Sequence, residues 1–178
     1  MSIFTNNAAS SKEEAQEYTA ALLGLVEGRD PLEVLGQTAG ALRQAVAGVD
    51  QARLGKPEAA GKWSVRQVLA HLVDSDIVLG WRFRMILAHD RPEIQGYDQD
   101  LWANRLHYDE ADAGMALETF SALRRWNLAL LSRASAEDRA RVGIHSERGQ
   151  ESVGHLISMY AGHDTLHLRQ IERILRAV

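Results

Sequence analysis

From Val65 to Ala88 the apolar residues Val65, Val68, Leu72, Leu79, Phe83 and Ile86 recur on one side at helical spacing. Ser64 and Gln67 supply a capping box at the start of this run. A helix this long with one apolar side must bury that side against other helices, and this requirement sets the fold class. The rest of the chain offers the partners, because it holds only 3 prolines and long stretches rich in Ala, Leu, Glu and Arg. Ser11 to Glu14 reads as a capping box that opens a helix ending near Gly28. Asp30, Pro31, Leu32 and Glu33 open a second helix that runs to about Gly48, before a polar stretch through Gly55, Pro57 and Gly61. Helix resumes around Glu110 and continues to about Arg133, with Leu117, Phe120, Leu123, Leu128 and Leu131 as core candidates. The last helix spans about Glu151 to Arg176.

The segments between are shorter or irregular. Asp90 to Asp109 is a stretch of roughly twenty residues without periodicity, longer than the ~15 that compact domains carry without a functional or packing reason. Ser135 to Asp138 caps one short turn, and Arg141 to Gln150, with Gly143 and Gly149, forms a small hairpin. The expected architecture is therefore all-α: an antiparallel four-helix bundle with the first segment packed on its outside. One domain is expected across 1–178, with the bundle proper from about 31 and residues 1–10 as a frayed arm.

Composition narrows the function classes. The chain has no cysteine, which excludes disulfides, internal thiolate nucleophiles and cysteine metal ligands, and fits a cytoplasmic location. The 24 acidic and 20 basic residues are well mixed, so there is no basic stripe for a phosphate backbone, and nucleic acid is not an expected partner. Charges or glycines interrupt every apolar run before the ~18 residues a membrane span needs. Met1 to Ser10 has neither the basic start nor the apolar core of a secretory signal. A small-molecule partner remains.

The 7 histidines are the unusual chemical resource. His163 and His167 lie four residues apart, about 40° apart on one helix face and one turn above the other. Two imidazoles so placed can hold one metal ion, as in the zincin helix, although Asp164 stands where that motif has Glu. Val153, Leu156, Tyr160, Ile171 and Ile174 define the buried stripe of the last helix, and both histidines fall inside it. His155 falls on roughly the opposite face. Buried imidazoles need hydrogen bonds or a metal to offset the lost hydration. A catalytic zinc-type site takes three protein ligands and leaves one position open, so the third must come from another helix. His71, mid-helix between Val68 and Leu72, is the best candidate. His89 and His107 border the irregular stretch and His145 sits among hairpin polar residues, so these three are expected at the surface. Periodicity alone leaves two readings open: satisfied core histidines, or metal ligands.

Three blocks of sequence add a resemblance. Trp63 through Ser75, with His71 inside it, Tyr97-Asp98 with Trp102, and Tyr160-Ala161-Gly162-His163 through His167-Leu168 occur in that order. Together they resemble the DinB/YfiT-like superfamily, which includes bacillithiol S-transferases. The resemblance runs from about Leu32 to the C-terminus. It implies a four-helix bundle, one divalent nickel or zinc ion held by His71, His163 and His167, frequently a homodimer, and chemistry on low-molecular-weight thiols. Gly162 departs from the family, which often has Trp there, so a different pocket wall is expected.

Other residues carry two readings each. Asp74, three residues after His71, either orients a ligand imidazole or is a surface carboxylate, and Asp164 has the same alternatives. Arg82 lies about 20° round the helix from His71 and ~16 Å along it. It either anchors a substrate carboxylate at the far end of a pocket or bridges to the irregular loop. Trp102 and Tyr97 either wall that pocket or plug the bundle end. The leading functional expectation is a metal-dependent enzyme that transfers a small thiol to an electrophile. The alternatives are a metal-dependent hydrolase, with Asp74 or Asp164 as base, and a non-catalytic metal-binding bundle.

Overall fold

Side-chain caps fix where the helices begin. The computed structural model describes residues 12–178, so the expected frayed arm and Ser11 lie outside the described residues. Helices α1 (Lys12–Gly24), α2 (Pro31–Ala45), α3 (Gln51–Leu54) and α4 (Val65–Ala88) are followed by strand β1 (Glu93–Ile94) and helix α5 (Gln99–Arg105). A 3-10 turn at Tyr108–Glu110 precedes α6 (Ala113–Leu131) and α7 (Ala136–Ala140). Strands β2 (Val142–His145) and β3 (Gly149–Ser152) then lead into α8 (Val153–Ala177). Asp30 accepts from the Leu32 amide, Ser64 and Gln67 complete both halves of their capping box, and Ser152 accepts from the His155 amide. Asp112, rather than a residue near Glu110, caps α6. Gly28 and Gly48 sit at φ +74° and +73° just past α1 and α2, which end a few residues earlier than their glycines suggested.

Helices α2, α6, α4 and α8 form a closed ring, each packed on the next, with α1 against the outside of α8. Two apolar cores fill the ring. One gathers Leu35, Phe83, Ile86, Leu131 and Leu156, and the other gathers Leu42, Val65, Leu72, Leu117 and Ile171. Helices α2 and α8 run from the first core to the second, while α4 and α6 run back. Each helix therefore has one antiparallel neighbour in the ring, α2 with α6 and α4 with α8.

This arrangement explains the long irregular stretch. Helices α4 and α6 point the same way, so the chain must travel the length of α4, about 36 Å, before α6 can start. It does so in short pieces that leave no sequence period. Strand β1 pairs in parallel with β2 (Glu93↔Ile144, Ile94↔His145), and then α5 and the 3-10 turn climb alongside α4. The expected hairpin is present as antiparallel β2–β3, in a sheet of order β1-β2-β3.

Between the apolar cores lies a polar layer. Arg124 is buried and donates Nε to Asp76 at 2.9 Å, its two terminal nitrogens to Asp164, and one of these to the Leu35 carbonyl at 3.1 Å. Asn127 adds two bonds to Asp76 at 3.1 Å. Burial opposes charge on Arg124, but Asp164 and then Asp76 outweigh it and raise its pKa. Asp164 is thus neither a surface carboxylate nor in hydrogen-bond contact with a histidine. On α6, Leu123 and Leu128 are only partly buried, because Arg124 and Asn127 take the inward positions.

Gly162 is the point where α1 meets α8. A Cβ at this position would overlap the Leu22 carbonyl oxygen and lie 2.6 Å from its carbonyl carbon. The missing side chain is replaced by the backbone of α1, which packs where a larger residue would stand.

Candidate metal centre

Helix α4 presents His71 and helix α8 presents His163 and His167, and the antiparallel packing of α4 on α8 brings the three rings together. The Nε2 atoms of His71 and His163 are 3.1 Å apart, as are those of His163 and His167. Three nitrogens at about 2.0–2.1 Å from one tetrahedral ion would stand about 3.3 Å from each other. The two spacings to His163 fit that ligand set, and all three ligand atoms lie within 4.8 Å of one another. Nδ1 of His71 and of His163 is buried without a hydrogen-bond partner, so the polar contacts of both rings are all made at the shared point. His167 is oriented from behind: its Nδ1 lies 2.7 Å from the Gln170 amide oxygen, which can only accept, and this leaves the Nε2 lone pair for an ion.

Electrostatics favour ligation. Burial, and then the neighbouring imidazoles, hold His71 and His163 well below the usual histidine range. Burial also lowers His167, against the opposing pull of Gln170 and Asp164. All three rings are therefore neutral at pH 7, the form that binds a metal.

A narrow cavity of about 60 Å³ opens on this cluster, room for a few waters or one slender group. His71 and His163 line it at one end. Ser75, Tyr97, Tyr160 and Arg82 continue the wall, and Tyr18 of α1 and Arg148 of the hairpin complete it. Ser75 Oγ lies 3.3 Å from His71 Nε2 and 3.1 Å from the Tyr97 hydroxyl. Arg82 is buried and donates to the Tyr160 hydroxyl and the Gln95 carbonyl at 3.0 Å, and to His145 Nε2 at 3.2 Å. It thus lines the cavity and also pins the loop after α4, through a neutral carbonyl rather than a salt bridge. No carboxylate is bonded to it among the described residues.

The remaining expected residues fall as follows. Asp74 accepts a short hydrogen bond from the Tyr108 hydroxyl and touches none of the three histidines. Trp102 stacks behind Tyr97, ring centroids 4.5 Å apart, and packs with Ala103 and Tyr108 rather than facing the cavity. His89 and His107 are exposed, but His145 is not. It is buried on β2, where it meets Arg82 on one side and the Glu147 and Arg148 amides on the other. His145 points inward because it shares with Gly143 the face of β2 that packs on Ile86 of α4. Ser75, Gln170 and Arg148 were not legible as site residues. Ser75, four residues after His71, and Gln170, three after His167, carry the helical spacing that could have flagged them.

A family model described as the DinB superfamily matches residues 35–171. The chain belongs to the DinB superfamily. A relative from Oceanobacillus iheyensis is 30% identical over 135 residues, 76% of this chain and 78% of that protein, and carries the provisional name metal-dependent hydrolase. A Bacillus cereus relative with the same provisional name is 31% identical over 130 residues, 73% of this chain and 75% of that protein. The solved structure of YfiT from Bacillus subtilis superposes with a TM-score of 0.77 at 26% identity, over 93% of this chain and 88% of that one. YfiT is described as a probable metal-dependent hydrolase with an unusual four-helix bundle topology. The DinB-type bundle and its three-histidine cluster suggest a bound metal ion. No helix among the described residues is long and apolar enough to cross a membrane.

Proposed function

We propose that this DinB-superfamily protein joins a low-molecular-weight thiol to an electrophilic carbon at the three-histidine centre. The observation that carries the reading is the state of the nearby carboxylates. Asp74 is engaged by Tyr108, Asp164 by Arg124 and Glu58 by Arg173; among the described residues Glu147, on the hairpin turn, is the one carboxylate lining the narrow cavity, and Asp100 lies at the start of α5. Water attack wants a general base beside the centre. A thiol does not, since a divalent ion there, nickel or zinc, supplies a Lewis-acid position that lowers the thiol's pKa.

The chain's own residues then bind and orient. The narrow cavity, at about 60 Å³, has room for the sulfhydryl end of a slender thiol. Arg82, a buried guanidinium with only neutral acceptors, suits a carboxylate at the thiol's far end, while Tyr97 and Tyr160 are held in place by Ser75 and Arg82. In the overall reaction the sulfur forms a new bond to carbon, the leaving group departs with the bonding pair, and the thiol proton goes to solvent. With no cysteine in the chain, the thiol comes from outside.

Metal-loaded protein incubated with bacillithiol, mycothiol or glutathione and a generic electrophile should consume thiol faster than a His163→Ala control. Arg82→Lys should keep its metal and weaken an acidic thiol by ~1–3 kcal/mol. The provisional names of the relatives favour one second reading, metal-dependent hydrolysis. Turnover of a hydrolysable substrate without thiol consumption would establish it.

A further inference from the structure

A second, wider depression of about 540 Å³ reaches the same cluster from another face. Its volume falls within the ~300–1,000 Å³ of small-molecule sites. It touches the centre through His167 and Gln170, whereas His71 and His163 line the narrow cavity. Gln99, the first residue of α5, borders both spaces. The histidine cluster therefore stands between two compartments.

The wall of the wider cleft has a definite chemistry. Trp63 offers a flat indole, fixed by packing 5.2 Å from the His71 ring and edge-on to Tyr108 at 6.3 Å. Four carboxamides line the cleft, Gln67, Gln99, Asn104 and Gln170, and two of them have their oxygens already used. The Gln67 oxygen accepts from the Ser64 amide at 2.9 Å, and the Gln170 oxygen faces His167. What both have left to offer are N–H donors. Charge is balanced, since the cleft is lined by two acidic residues, Glu58 and Asp100, and two basic ones, Lys62 and Arg173, with Glu58 holding Arg173 through two bonds of 2.8 Å. A wall of balanced charge with one aromatic plane and amide donors suits a planar, conjugated molecule that carries neutral oxygen acceptors of the carbonyl or nitro type.

We propose that this cleft is the binding site for such an electrophile, and that the sulfhydryl end of the thiol enters the narrow cavity. The assignment of partners to the two compartments rests on the thiol-transfer reading, while the cleft's preference for planar acceptors does not. Binding can be measured without turnover, using 1,3-dinitrobenzene as an unreactive planar probe that quenches indole fluorescence on contact. Metal-loaded full-length protein should show saturable quenching, and Trp63→Phe should lose the saturable part. Gln67→Glu keeps the capping box but replaces amide donors with a carboxylate, and should weaken the probe about tenfold or more at unchanged metal content. Quenching that does not saturate, or that survives Trp63→Phe, or that ignores Gln67→Glu, overturns the proposal, even if thiol is consumed. Saturable binding that responds to both variants in a protein that consumes no thiol keeps the cleft as an acceptor-binding site and overturns the transfer reading alone.

Discussion

Replacing Gly162 with Ala tests whether α1 is held against α8 by the absence of a side chain. The new Cβ would lie 2.6 Å from the Leu22 carbonyl carbon. Carbon atoms rest at about 3.5–4.0 Å, so α1 must retreat by about 1 Å or more. Both groups are backbone-fixed, and no rotamer change relieves the overlap. The retreat uncovers Leu22, now 1% exposed, and strains the packing of Ala15 and Val26. Losing the burial of one leucine costs ~1.5–3 kcal/mol, while Ala in place of Gly inside a helix returns up to ~1 kcal/mol. The expected net loss is about 1–2 kcal/mol. Gly40, mid-helix in α2, has nothing within 4 Å of its would-be Cβ, so Gly40→Ala should instead stabilise by ~0.5–1 kcal/mol. Urea denaturation of both variants gives the two signs, and amide exchange across 12–24 reports whether α1 has loosened. If Gly162→Ala is as stable as Gly40→Ala and α1 exchanges no faster, the steric argument is wrong.

Three further outcomes are expected. Gln170→Ala removes the group that orients His167 and should raise the metal Kd ~10–100-fold in equilibrium dialysis, with unfolding of the metal-free protein little changed. Arg124→Leu strands two buried carboxylates and should cost about 3–5 kcal/mol in denaturant unfolding; metal affinity should fall with it, although Arg124 touches no ligand. Burial first, then Arg148 and Arg82, lower His145 from 6.5 to about 4. A group depressed in the folded state contributes stability that is present above its free pKa and is lost as pH falls through the folded one. Between pH 6.5 and 4 the wild type should therefore lose about 2–3 kcal/mol that His145→Gln does not lose, read as a shrinking stability difference.

Elements whose signals are local were legible in the sequence. The Ser64–Gln67 box and the apolar stripe of α4 lie within one segment, and so does the stripe from Val153 to Ile174 that carries His163 and His167. The hairpin announced itself through Gly143 and Gly149. What escaped depends on partners far along the chain. β1 is two residues long and exists because β2 lies beside it, and α5 has one short cap at Asp98. His145 looks like a polar hairpin residue until β2 packs on α4 with the face that carries Gly143 and His145 inward. Arg124 and Asn127 read as breaks in the α6 stripe, because their carboxylate partners come from α4 and α8.

That buried ionic layer bears on the metal centre itself. Apolar side chains on facing helices tolerate a slip of one turn at modest cost, since Leu or Val on one ridge packs nearly as well on the next. Such a slip moves a ligand by about 5.4 Å, more than the whole ~3.3 Å spacing between ligand nitrogens. Arg124 does not tolerate it. One guanidinium binds Asp76 on α4, Asp164 on α8 and the Leu35 carbonyl on α2 at once, and none of these can be exchanged for a neighbour without leaving a buried charge unpaired. Asp164 is next to His163 in sequence, and Asp76 follows His71 by little more than one turn. Fixing the two carboxylates on one arginine therefore fixes His71 opposite His163. The cost of burying charge in the bundle centre is offset by a register that the apolar cores alone would leave degenerate.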